Sequence, residues 1–175
     1  MHEIILPEAK PALEWINNRI VQKVTPQRSH ALAQRRFAAH LGDWADQNGA
    51  GVVGTEWQFQ VEPPGEDSRT LVPDIAFLSY DRMSKAEMAE TEIPRIAPDV
   101  LVEIRSPKDA QADIGEKTRV YLAAGTIVVF LVDPALKTTT VVDADGSRLL
   151  AETETIRHSA LLGFELLART LFELP

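Results

Sequence analysis

The chain has 175 residues, 45% of them hydrophobic and 25% charged, with no cysteine and a formal charge of −8 from 26 acids against 18 bases. That length suits one domain, here taken as residues 1–175, with a core of its own. The lack of cysteine excludes disulfide frameworks, zinc–thiolate sites, iron–sulfur clusters and thiol catalysis. The acidic balance argues against nucleic-acid binding by bulk electrostatics, because such affinity comes from Lys and Arg neutralising phosphates, and it leaves only a local basic patch open.

Met1 to Pro7 lacks the basic stretch and apolar run of a secretory signal. No segment approaches the ~18 apolar residues of a spanning helix, so the expectation is a cytoplasmic protein without a membrane partner.

Leu13 to Val24 reads as an N-terminal hairpin turning at Asn17-Asn18, since Asn tolerates positive φ. A helix follows, opened near Thr25-Pro26 or Ser29 and closed by Asn48-Gly49. Its expected buried stripe is His30, Ala33, Phe37, Leu41 and Trp44, spaced by three or four. Thr55 to Val61 alternates, with Trp57, Phe59 and Val61 on one face and Glu56, Gln58 and Gln60 on the other, as in a half-exposed strand. The loop Glu62 to Ser68 turns the chain, so Thr70 to Leu78 is expected to return as its hairpin partner. Tyr80 to Pro98 reads as a surface excursion with one short helix near Met83 to Met88.

Asp99 to Arg105 reads as a strand. Ser106-Pro107 then resembles a helix start, with Ser106 as cap and Pro107 in the first turn, and the helix runs to Ala124-Gly125. Thr126 to Val132 is nearly all apolar and β-branched, the pattern of a strand covered on both faces. Thr138 to Val142 and Arg148 to Leu150 form a C-terminal hairpin, and Phe164 to Phe172 reads as an amphipathic helix. Together these predict an α/β (α+β) fold, a mixed β-sheet core flanked by helices.

Two carboxylates interrupt apolar strands: Asp74 in Leu71 to Phe77, and Glu103 in Val100 to Ile104. Burying a carboxylate is costly unless it is paired or metal-bound. Solvent exposure or a nearby arginine would explain either acid alone. Two of them on neighbouring strands suit a divalent cation held between carboxylates. Strand alternation puts Glu103 and Arg105 on one face.

The ordered series Pro73-Asp74-Ile75, Pro98 to Pro107, Asp113, Lys117, Tyr121, Gly125, Leu131 to Pro134 and Leu161 to Phe164 resembles the Uma-two family of the PD-(D/E)xK nuclease superfamily. His30 matches the histidine that family carries at its first long helix. Leu162 stands where the family usually has proline. The resemblance covers most of the chain and implies a restriction-endonuclease-like fold and a metal-dependent endonuclease. Such an enzyme hydrolyses DNA phosphodiesters with a metal-activated water, with Mg²⁺ (or Mn²⁺) as cofactor, and as a homodimer. It makes Asp74 and Glu103 metal ligands, with the Ile104 carbonyl as a third.

The superfamily's lysine slot holds Arg105. Arginine stays protonated, so it can stabilise phosphate charge but cannot act as a base. Lys117 is the natural substitute, because ten helical residues at ~1.5 Å each return the chain ~15 Å toward Glu103. The alternative for Lys117 is a surface ion pair with Asp113, which lies one turn before it as Tyr121 lies one turn after. Glu56, His30, Asp113 and Tyr121 are accessory candidates, each with a structural alternative. Arg35, Arg36 and Lys108, with Arg28 and Arg119 nearby, suggest a DNA footprint. Against nuclease activity stands a catalytically silent dimeric DNA- or protein-binding module, favoured by Arg105 and the charge of −8. A third alternative is a hydrolase of small phosphoesters.

Overall fold

The structure, a computed structural model, describes residues 3–107 and 109–174. Short β1 (Glu3–Ile4) precedes the hairpin of β2 (Leu13–Ile16) and β3 (Arg19–Gln22), whose turn residues Asn17 and Asn18 have φ of 50° and 58°. Both turn positions need positive φ, and Asn supplies it at little cost. Helix α1 (Arg28–Asn48) buries His30, Ala33, Phe37, Leu41 and Ala45, with Trp44 packed partly buried beside them. Gly49, at φ 56°, ends the helix in the left-handed conformation expected of a C-terminal glycine.

The expected strand from Thr55 to Val61 is two strands in different sheets: β4 (Gly51–Thr55) and β5 (Phe59–Val61). The chain leaves the first sheet at Glu56, whose φ is 51°, and Trp57 folds back onto Phe59 with ring centroids 4.8 Å apart. The expected return strand also divides, into β6 (Ser68–Leu71) and β7 (Ile75–Ser79), around Val72-Pro73-Asp74. Pro73 has no N–H to give to a sheet, which suits it to this break. Gln60, expected on a solvated face, is buried. It donates to Ser68 Oγ at 3.0 Å and accepts from Thr70 Oγ1 at 2.8 Å.

After α2 (Lys85–Ala89), capped by a Ser84–Glu87 box, come β8 (Val100–Ile104), α3 (Gln111–Ala123) and β9 (Val128–Asp133). Helix α3 starts four residues later than the sequence pattern suggests. The Asp109 carboxylate accepts from the Ser106 N–H at 2.7 Å and the Asp109 N–H bonds the Ser106 carbonyl at 3.0 Å, closing a turn before the helix begins. The last elements are β10 (Thr138–Asp143), β11 (Gly146–Ala151), β12 (Thr155–Ile156), β13 (Leu166–Leu167) and a 3₁₀ turn at Ala168–Leu171. The helix expected over Phe164 to Phe172 is absent. Phe164, Leu166 and Ala168 are buried while Glu165 and Leu167 are exposed, a period-two pattern that belongs to a strand.

The central sheet has the order β11-β10-β9-β8-β7-β4, antiparallel except for the parallel pair β8–β9. A second sheet, β1-β6-β5, packs on one side of it. Alternation along the central strands splits the core in two. Val100, Val102 and Ile104 pack with Phe37 and Leu41 of α1, whereas Leu101 and Val129 pack with Phe59, Leu71 and Tyr121. The mixed sheet flanked by helices is therefore as expected, and no helix among the described residues is long and apolar enough to cross a membrane.

Phe37 is 0% exposed and lies 5.6 Å from the Phe130 ring and 6.1 Å from Phe164, so it joins helix, sheet and C-terminal segment. Phe37→Ala should lower unfolding stability by about 3–5 kcal/mol in urea titration. Leu162→Ala, at a position 80% exposed, should change it by less than about 0.5 kcal/mol.

Candidate active site

The register Ile75↔Val102, continued by one residue, sets Asp74 opposite Glu103. Like charges directly across neighbouring strands repel, and here cations and donors are threaded around them. Asp74 Oδ1 accepts from Lys23 Nζ at 2.7 Å. Its Oδ2 accepts from the Ile104 backbone N–H at 2.6 Å and lies 3.2 Å from His30 Nε2. An ionised carboxylate only accepts, so His30 carries its proton on Nε2. Glu103 Oε1 lies 2.8 Å from Lys117 Nζ, and the same ammonium meets Glu14 Oε1 at 2.9 Å. Glu14 also accepts the Val72 N–H at 2.8 Å, holding the broken strand in place.

Each residue reaches this point for a local reason. Glu103 alternates with Leu101 toward the α3 side of the sheet, which is where Lys117 stands buried on α3. Lys117 therefore meets Glu103, although α3 begins later than expected. Glu14 shares the inward face of β2 with Ile16. Lys23 follows β3, and His30 lies in the first turn of α1. All of these line one groove of about 810 Å³, together with Gln34, Glu56 and Ile104.

The charges are set by burial and neighbours together. Burial would raise the Asp74 carboxyl, but the His30 hydrogen bond and the Lys23 and Lys117 ammoniums hold it well below the usual carboxylate range. Burial pushes Glu103 up to about 8; Lys117 pulls it down, and Asp74 pushes it further up. Burial disfavours charge on Lys23 and Lys117, yet the surrounding carboxylates outweigh it and keep both ammonium groups protonated beyond the ordinary lysine range.

A family model described as "Putative restriction endonuclease", Uma2, matches residues 2–170. The chain belongs to the Uma2 family. Its fold is also that of a protein from Anabaena variabilis ATCC 29413 described as a "putative nuclease belonging to DUF820". The two are 26% identical over 95% of this chain and 93% of the other, with a TM-score of 0.85. No curated protein matches the chain.

In this Uma2 chain the candidate residues separate into those that share the groove and those that do not. Asp74, Glu103, Lys117, His30 and Ile104 converge, and Glu56 closes the outer side with Oε2 2.8 Å from Lys23 Nζ. Asp113 stands at the groove's edge and holds the hairpin turn, accepting from Asn17 Nδ2 at 2.8 Å and pairing with Arg19 at 2.6 Å. It is not the partner of Lys117. Tyr121 is fully buried behind the site with its hydroxyl unpartnered among the described residues. Burial and the carboxylates raise its pKa well above the ordinary value. Arg105 does not line the groove but an adjoining pocket that shares Glu103 and Ile104 with it, and it pairs with Asp133 at 3.2 Å. Arg36 donates to the carbonyls of Thr170 and Glu173, tying α1 to the C-terminal segment; Arg35 is exposed, and Lys108 lies outside the described residues.

Glu14 and Lys23 were not among the sequence candidates. Glu14 carries the same signal as Asp74, an acid sharing a strand face with an inward apolar residue, Ile16. Nothing local marks Lys23, which becomes a site residue only through the packing of the hairpin.

The donor set suits a small divalent cation. Asp74 and Glu103 are hard oxygen donors, and magnesium needs only one or two carboxylates beside its waters. Glu103 Oε1 is buried and, among the described residues, faces no donor other than the Lys117 ammonium.

Glu103 also gives the apo protein a pH signature. Its pKa in the folded protein, about 8, exceeds the ordinary 4.5, so between these values the folded state holds a proton that the unfolded chain lacks. The stability it contributes is present below pH ~4.5 and is lost as pH rises through about 8. In metal-free buffer the urea midpoint should therefore fall more steeply from pH 5 to 9 for wild type than for Glu103→Gln, which has no carboxyl to ionise.

Proposed function

We propose that this protein is a metal-dependent deoxyribonuclease that hydrolyses DNA phosphodiester bonds in the groove containing Asp74, Glu103 and Lys117. The observation that carries this reading is the convergence on one groove of Asp74, from the break between β6 and β7, Glu103, from β8, and Lys117, from α3. Family membership and the likeness to the Anabaena protein support it.

Asp74 and Glu103 would hold Mg²⁺ or Mn²⁺. The ion, when bound, supplies Lewis acidity toward the phosphate and lowers the pKa of a water. Asp74 enters as a carboxylate, fixed by the Ile104 N–H, His30 and Lys23, and so presents a preset charge. Glu103 would give up its proton to a divalent cation, whose double charge adds to the Lys117 ammonium already 2.8 Å away and favours the carboxylate. Lys117 keeps its proton between Glu14 and Glu103. It is therefore suited to stabilising charge on the phosphate rather than to accepting a proton from water. Glu14 positions Lys117, and His30 orients Asp74. Cutting both strands of a duplex takes two such sites, which a homodimer supplies.

The test is cleavage of plasmid and linear duplex DNA with Mg²⁺ or Mn²⁺, for wild type and for Asp74→Asn, Glu103→Gln and Lys117→Met. Metal-dependent cleavage should fall at least about 100-fold in each variant, while thermal unfolding stays cooperative. DNA retention without cleavage in any divalent metal would overturn the reading in favour of a binding module.

A further inference from the structure

The Lys23 ammonium sits in a cage of three oxygens from three parts of the chain: Asp74 Oδ1 at 2.7 Å, Glu56 Oε2 at 2.8 Å and the Val72 carbonyl at 3.0 Å. Three acceptors match the three protons of an ammonium group. Two carboxylates and one backbone carbonyl are also the donor types that hard divalent cations use. Lys117 differs, because its partners are the carboxylates of Glu14 and Glu103 with no carbonyl among them.

The cage is built, not incidental. Glu56 is a non-glycine residue at φ 51°, a backbone conformation that persists only where the surroundings impose it. The Glu56 N–H bonds the Asp74 carbonyl at 3.2 Å. Gln34 spans the same pair, donating to Glu56 Oε1 at 3.0 Å and to the Asp74 carbonyl at 2.9 Å. These contacts bring a carboxylate that is 47% exposed, and free to point into water, over an ammonium that is 11% exposed. In a two-metal site one carboxylate commonly bridges two cations about 3.5–4 Å apart. Asp74 would serve as such a bridge through Oδ1, which Lys23 already shares, because Oδ2 accepts from the Ile104 N–H and faces His30.

We propose that Lys23 is a resident cation filling a second metal subsite, formed by Asp74, Glu56 and the Val72 carbonyl, so that each chain takes up one divalent ion rather than two. The inference rests on the metal-dependent reading above and deepens it. The fixed positive charge offsets Asp74 without drawing on dissolved metal, and it excludes a second dication both by occupying the cage and by repulsion.

The test counts Mn²⁺ ions on the metal-stripped full chain, by calorimetric titration and by the electron paramagnetic resonance signal of free Mn²⁺. Wild type should bind one ion per chain. Lys23→Ala, which empties the cage, should bind two, and the double variant Lys23→Ala/Glu56→Gln should return to one. Adding methylammonium to Lys23→Ala should displace the second ion alone. Two ions on wild type, or one on both wild type and Lys23→Ala, would overturn the role of Lys23 and leave the metal-dependent reading standing. No binding to either protein would overturn both. Lys23→Ser serves where the alanine variant does not fold. Failure of both to fold in Mn²⁺ would also count against the proposal, because a second ion should replace the lost charge.

Discussion

Asp74 is a full negative charge inside the protein, 3% exposed, and the elements around it are arranged to hold that charge. A carboxylate there would take up a proton unless matched by cations and donors. The hairpin contributes Lys23, α1 contributes His30, and β8 contributes the Ile104 N–H. Lys117 adds its charge from α3, and Asp74 stays ionised. The four structural elements meet at one residue because no one of them brings enough opposite charge to it.

That constraint also explains the breaks in the strands. An unbroken β6–β7 strand would keep Val72 and Asp74 within one sheet. The gap at Val72-Pro73-Asp74 instead turns the Val72 N–H to Glu14 and its carbonyl to Lys23. At Glu56 the chain likewise leaves the central sheet in a strained conformation, and the carboxylate gained there covers Lys23. Regular pairing is given up at two places, and both border the groove. Interruptions of this kind are expected where local preference yields to function.

The core strands and the two long helices could be read from the sequence because their signals are local. Phe37 and Leu41 recur at helical spacing, Val128 to Val132 is continuously apolar, and Asn17-Asn18 accepts the turn's positive φ. Asp74 and Glu103 stood out because an acid inside an apolar strand violates its surroundings. Other features could not be read this way. Thr55 to Val61 has the alternation of one strand, and only the packing of Trp57 on Phe59 shows that the chain bends between two sheets. Phe164 to Leu171 satisfies a helical pattern loosely and a two-residue pattern better, and its pairing with Thr155–Ile156 decides between them. Lys23 bears no local mark at all, since its partners lie 33 and 51 residues away.

The net charge of −8 and a nucleic-acid substrate are compatible once the basic residues are sorted by what they already hold. Arg119 and Arg69 are committed to Glu66 and Glu116, Arg105 to Asp133, and Arg95 to Glu3. Arg36 is committed to the carbonyls of Thr170 and Glu173. Of the residues that look like a footprint in the sequence, Arg36 and Arg119 are therefore internal fastenings. Arg28 and Arg35 on α1 remain exposed and without an ion pair among the described residues, on the helix that carries His30 and Gln34 into the groove. Arg148 and Arg157, by the C-terminal hairpin, are also exposed and unpaired among the described residues, so Arg28 and Arg35 are the unpaired arginines on the helix that borders the groove. The groove is lined by Glu14, Glu56, Asp74, Glu103, Asp109 and Asp113 against Lys10, Arg19, Lys23 and Lys117, so even with Glu103 protonated the acids outnumber the bases, and a phosphate would meet net repulsion that a bound divalent cation would offset. On the function proposed above, metal occupancy would govern substrate affinity as well as chemistry, which reconciles an acidic protein with a nucleic-acid substrate.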